Sequence, residues 1–66
     1  MTVKILELIG TSPESFEDAI SSVIKRASKT IRGITGVDVI GQTAVVENGK
    51  VTEFRVNMKI AFKVED

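Results

Sequence analysis

Sixty-six residues with no cysteine and no histidine make at most one small domain, and they exclude a disulfide framework and a Cys/His zinc site. A chain this short buries only about 60% of the surface its unfolded form exposes, so self-association is the remaining common source of stability. Nine Lys and Arg balance nine Asp and Glu, which leaves no net basic field to hold the chain on nucleic acid or an anionic membrane.

The elements follow in chain order. MTVKILELIG carries Lys4 and Glu7 inside a short apolar run, a pattern that fits neither a signal peptide nor a membrane span. The expectation is a soluble, cytoplasmic protein with one domain over residues 1–66. VKILELIG, residues 3 to 10, reads as a strand with two largely apolar faces. TSPESFEDA then opens a helix, with Ser12 as N-cap, Pro13 at the first helical position, and Glu14, Glu17 and Asp18 near the positive end of the helix dipole. Phe16, Ala19, Ile20, Val23, Ala27 and Ile31 recur at spacings of three and four and form one stripe. Lys25, Arg26, Lys29 and Arg32 load the C-terminal half, and Gly33 closes a helix of about twenty residues.

GVDVIGQTAVVENGKVTEFRVNMKIAFKV reads as a long hairpin, because Asn48-Gly49 is the dipeptide favoured by a type I′ turn. With Glu47 opposite Lys50, a regular register sets Val37 against Ile60, Val39 against Met58, Thr43 against Phe54 and Val45 against Thr52 on one side. Asp38 then opposes Lys59, and Gln42 opposes Arg55, on the other. Residues 52 to 64 alternate without a break, with Phe54, Val56, Met58, Ile60, Phe62 and Val64 inward. That stretch spans roughly 43 Å at about 3.3 Å per residue, more than a helix of some 30 Å can cover. The predicted fold is α+β, in the order β-α-β-β, with a three-stranded antiparallel sheet curled over one helix. The uncovered face, a mixed surface with apolar islands, suits contact with other copies or with a ligand.

Ser/His and Cys/His catalysis lacks its base in this composition, and no catalytic residue is assigned. Glu14, Glu17 and Asp18 sit where helix starts collect acids, and Glu65 and Asp66 are read as solvated terminal charges. Outward Asp38 and Glu53 can contribute to a Ca²⁺ or Mg²⁺ site between subunits; the competing use of Asp38 is a cross-strand pair with Lys59. Gly33-Ile34-Thr35-Gly36 matches the GxxG pattern that clamps a nucleic-acid backbone in KH domains. There the loop joins two helices, whereas here it joins a helix to a strand, so nucleic acid is not an expected partner. Gly36 and Gln42 lie about 20 Å apart along the strand. A site using Gly36, Gln42 and Arg55 therefore needs neighbouring copies to bring them together.

GTSPES leading into a helix, the spacing of Arg26-Ala27 and Thr30, the ENG turn and the closing AFKVED together resemble the dodecin family over essentially the whole chain. The resemblance implies a β-α-β-β protomer whose trimers assemble into a hollow homododecamer of cubic symmetry. It also implies a binding or storage protein, not an enzyme, that holds flavins (FMN or riboflavin) as stacked pairs between protomers. Its ligand positions correspond to Gly36, Gln42 and Arg55. Flavin-binding members carry a tryptophan matching Gly36, which stacks on the isoalloxazine ring, and a glutamine matching Arg55, which hydrogen-bonds the ring edge. Many bacterial members also have Arg-Gly where this chain has Thr43-Ala44. This sequence contains no Trp at all. By analogy with base stacking, at roughly 1–3 kcal/mol per contact, the loss weakens flavin binding about ten- to a hundredfold. The expectation is a dodecin-like assembly with a degenerate flavin site; the alternative is a Ca²⁺- or Mg²⁺-binding or purely structural shell. Arg55 offers a fixed cation to an anionic ligand, or an ion pair to Glu53 or a neighbouring subunit.

Overall fold

The computed structural model describes residues 1–64; Glu65 and Asp66 lie outside the described residues. Strand β1 (Thr2–Ser12) leads to helix α1 (Phe16–Ala27), then to β2 (Ile34–Glu47) and β3 (Lys50–Val64). The expected β-α-β-β order and three-stranded antiparallel sheet are both present, with β3 in the centre of the order β1-β3-β2. The protomer is long and thin, with extents of 51 × 20 × 13 Å.

The helix starts later than its sequence signal. β1 continues as far as Ser12, which pairs with Phe54 of β3, so the backbone cannot turn helical at Pro13. The N-cap is Ser15, in an extended conformation (φ −166°, ψ 165°), and its Oγ accepts from the Asp18 N–H at 2.9 Å. Ser12 still organises the corner. It is buried, its Oγ accepts the Glu14 N–H at 2.9 Å, and its hydroxyl donates to Asp18 Oδ2 at 2.6 Å. Glu17 and Asp18 fall in the first turn and Lys25 and Arg26 in the last, the charge order the helix dipole favours.

The helix also ends sooner. Lys29 and Thr30 donate their N–H groups three residues back, to Arg26 O and Ala27 O at 3.2 and 3.1 Å, which tightens the chain into turns after Ala27. The α-helix thus has 12 residues, about 18 Å, and Ile31 lies beyond it. Gly33, at φ +76°, marks the reversal into β2, and its carbonyl accepts from the Lys63 N–H at 3.0 Å.

The core is small. Ala19, Val56, Met58 and Ile60 are fully buried, with Leu8, Phe16, Ile20, Val23, Ile24, Ala27 and Ile34 packed around them. The Phe16 and Phe54 rings meet edge to face at 5.0 Å, a favoured aromatic geometry. Helix and sheet approach closely at Gly10, where a Cβ would stand 2.5 Å from Val23 Cγ2 and 2.6 Å from the Ala19 carbonyl oxygen. Because α1 packs on β1 and β3, the helix side of β2 is left open, with Val37 and Val39 exposed.

The hairpin departs from a regular register. Its tip is as expected: Glu47 pairs with Lys50, and Asn48 and Gly49 have φ of 53° and 76°, as a type I′ turn requires. Val37–Ile60, Asp38–Lys59 and Val39–Met58 also pair as expected. Between these ends the register slips by one residue and slips back, with shifts at Val45/Val46 and Val39/Gly41. The observed pairs there are Val45–Glu53, Ala44–Phe54, Thr43–Arg55 and Gln42–Val56, which replace the expected Val45–Thr52, Thr43–Phe54 and Gln42–Arg55. A bulge adds one residue to one strand and increases its twist. Two of them on opposite strands, at Thr52 and Ile40, let the hairpin curl and cancel in register. The Thr52 hydroxyl donates to the Val45 carbonyl at 3.4 Å, so the first bulge is also tied to the opposite strand.

Candidate functional site

The register fixes which residues share the face turned away from the helix. Its rows across β1, β3 and β2 are Ile5–Ala61–Gly36, Glu7–Lys59–Asp38, Ile9–Asn57–Gly41 and Thr11–Arg55–Thr43. Gly36 and Arg55 therefore lie on this face, as expected. Gln42 does not: the bulge at Ile40 moves it opposite Val56, on the helix side. The sheet separates Gln42 from the other two within one protomer.

Gly36 is an open position. An added Cβ would meet no atom within 4 Å, and the only positive-φ glycines among the described residues are Gly33 and Gly49. A side chain is absent at Gly36 for no reason internal to the protomer. The face offers nothing aromatic in its place. Phe54 and Phe62 alternate with buried Val56, Met58 and Ile60 on the helix side, and Phe16 belongs to α1.

Arg55 already has a partner. Its Nε donates to Glu53 Oε2 at 2.8 Å, with the side chains 50% and 35% exposed, so solvent screens much of the attraction. This is the sole salt bridge among the described residues. Asp38 and Glu7 both flank Lys59 in one row, yet neither carboxylate reaches it within 4 Å. Ala61, opposite Gly36, is six residues from Arg55 on β3, or about 20 Å. One protomer does not bring Gly36 and Arg55 together.

Among the described residues no group of three or more acidic side chains could hold a metal ion, so Asp38 and Glu53 make no cation site within one copy. No helix among them is long and apolar enough to cross a membrane. Apolar side chains are exposed on both faces: Val3, Ile5 and Ile9 on the outer face of β1, and Val37 and Val39 on the helix side of β2. Asn57, between Ile9 and Gly41, has a buried Oδ1 with no hydrogen-bond partner among the described residues. The alternating pattern marks Asn57 only as outward, and the loss of its solvent contact arises from packing.

The family model for dodecin matches residues 2–65. The chain belongs to the dodecin family. It is 36% identical over 62 residues to the calcium dodecin of Mycobacterium tuberculosis, covering 92% of this chain and 86% of that one. It is 33% identical over 63 residues to the dodecin of Thermus thermophilus, covering 96% and 91%. The solved dodecin of Streptomyces coelicolor superposes with a TM-score of 0.95 at 31% identity, covering 98% and 93%. The resemblance drawn from GTSPES, the Arg26-Ala27-Thr30 spacing and the ENG turn is thus borne out for family and fold.

Proposed function

We propose that this dodecin is a non-catalytic, single-domain protein that self-assembles, as a homododecamer built from trimers, to bind or store a small ligand, with a flavin site that is degenerate. The observation that carries the reading is Gly36: an unstrained, unobstructed position on an open sheet face with no aromatic ring to stack on a flavin. Exposed Val3, Ile5, Ile9, Val37 and Val39 support assembly, because a small core gains most from covering such surface with further copies. Gly36 and Arg55, about 20 Å apart in one protomer, join only across a contact between copies, and Gln42 only from the helix side of another copy. The proposed setting is the cytoplasm, with neither membrane nor nucleic acid as partner.

Flavin fluorescence and native mass spectrometry test this together. The wild-type protein is expected to assemble, to a mass twelve times that of the 7.2 kDa chain, and to leave flavin fluorescence nearly unquenched. Gly36→Trp with Arg55→Gln is expected to keep the assembly and to quench flavin, with affinity raised about ten- to a hundredfold. A folded monomer refutes the assembly. A wild type that binds flavin tightly refutes the degenerate site.

A second reading, cation binding, is favoured by the name of the M. tuberculosis relative, calcium dodecin. Since one protomer groups no set of acidic side chains among its described residues, Asp38 and Glu53 would have to meet carboxylates of other copies. Calorimetric titration with Ca²⁺, repeated on Asp38→Asn, decides it: loss of a binding heat in the variant supports the reading, and no heat in the wild type removes it.

A further inference from the structure

The chain holds two asparagines, Asn48 and Asn57, and the fold gives them opposite surroundings. Asn57 lies within β3, paired with Ile9 on one side and Gly41 on the other. Its Oδ1 is buried, and Met58, which follows it, is fully buried, so the backbone there is fixed in extended form. Asn48 sits at the exposed hairpin tip with Gly49 after it, outside both strands. Among the described residues its side-chain amide has no hydrogen-bond partner, and the Gly49 N–H donates to no backbone oxygen. A Cβ at Gly49 would meet no atom within 4 Å, so this side of the turn is open to water and hydroxide.

We propose that Asn48 is a site of spontaneous deamidation, and that its isoaspartate product opens the hairpin tip. Hydroxide removes the proton from the Gly49 backbone nitrogen, whose electron pair then attacks Cγ of Asn48. The new C–N bond closes a succinimide ring as the Cγ–Nδ2 bond breaks, and the side-chain nitrogen takes a proton from water and leaves as ammonia. Water then opens the ring, at Cγ to give aspartate or at the backbone carbonyl to give isoaspartate. The net change is water consumed and ammonia released, with no oxidation or reduction. Glycine favours the attack because it carries no side chain to crowd the nitrogen and can leave its φ of 76° freely as the ring closes. At Asn57 the same step would require Met58, in a strand paired on both sides, to swing out of the sheet. Isoaspartate runs the main chain through the side-chain carbon and so adds a methylene to a two-residue turn. A type I′ turn joins its strands because its twist matches theirs, and a longer turn no longer closes the Glu47–Lys50 pair. Val46 and Val51, the next pair back, are both exposed, so no core holds the register there.

The test incubates the intact protein at mildly alkaline pH, digests it with trypsin and maps the peptides by mass and fragmentation against a sample taken at the start. Cleavage after Arg32, Lys50, Arg55 and Lys59 puts Asn48 in residues 33–50 and Asn57 in residues 56–59, and fragmentation separates Asn48 from Gln42 in the first. The first peptide is expected to convert to aspartate and isoaspartate forms at position 48, faster as pH rises, while the second stays unchanged. Asn48→Gly, whose sequence suits the same turn, should lose the conversion and keep the fold. The isoaspartate form, isolated by ion exchange, should melt below wild type. Asn48→Asp adds the same charge without the methylene and should melt with wild type. Conversion of both peptides at equal rates would overturn the proposal. So would conversion of residues 33–50 only in urea-unfolded protein, since the turn would then hold the Gly49 nitrogen away from Cγ. An isoaspartate form that melts with wild type would overturn the effect on the hairpin.

Discussion

Gly10→Ala is expected to be the most costly one-carbon change in this chain, and the reason is geometric. The new Cβ would stand 2.5 Å from Val23 Cγ2, 2.6 Å from the Ala19 carbonyl oxygen and 3.1 Å from Met58 Cε, where carbon contacts are favourable only near 3.5–4.0 Å. Met58 can swing its terminal methyl aside. Val23, β-branched and on a helix, has essentially one rotamer, and the Ala19 oxygen is backbone. The clash is therefore relieved only if α1 lifts from β1 by about an ångström, loosening the fully buried Ala19 and Met58. Overpacking of this kind costs about 1–3 kcal/mol, while Gly→Ala returns about 0.4–1 kcal/mol through the unfolded chain. With a backbone atom in the clash, the cost lies toward the upper figure and the net loss is about 2 kcal/mol. For a chain of this size that lowers the melting temperature by about 8–16 °C. The assay is thermal unfolding at fixed protein concentration, because self-association makes the midpoint concentration-dependent. Gly41→Ala is the control, since its Cβ meets nothing within 4 Å; it should melt at or slightly above wild type. A Gly10→Ala protein that melts with wild type would show that helix and strand do not pack as described.

Gly49→Val should destabilise the hairpin by about 1–3 kcal/mol, because a β-branched residue must then hold φ near the observed 76°; urea unfolding reads it as a lower midpoint at unchanged slope. Ser15→Ala should cost about 0.5–2 kcal/mol by removing the N-cap acceptor of the Asp18 N–H, and Pro13→Ala far less, the reverse of what a helix starting at Pro13 requires. Arg55→Gln and Glu53→Gln, singly and together, should give a coupling of only about 0.2–1 kcal/mol in unfolding experiments, since the pair is half exposed; a larger value would mean that assembly buries it.

Much of this protein was legible in its residues because local chemistry and periodicity are written in single positions. Asn48-Gly49 specifies its turn through the φ values that turn demands, and the alternation from Phe54 to Val64 specifies the helix-facing side of β3, whose middle residues Val56, Met58 and Ile60 are buried. The stripe from Phe16 to Ala27 specifies the helix face for the same reason, and the bare Gly36 together with the lack of any tryptophan specifies what the outer face cannot stack. Tertiary structure decided the rest wherever two signals competed or none was strong. The residues pointed to a helix start at Ser12-Pro13, and the pairing of Ser12 with Phe54 across the sheet moved the N-cap to Ser15. Gln42, Thr43 and Ala44 carry no alternation that a core would enforce, since the helix does not reach β2. There the bulges at Ile40 and Thr52 set the register and put Gln42 and Arg55 on opposite faces. Lys4 was visible in the sequence only as a charge in an apolar strand. Its exposure follows from the early end of α1 at Ala27, which leaves that end of the sheet without a helix over it.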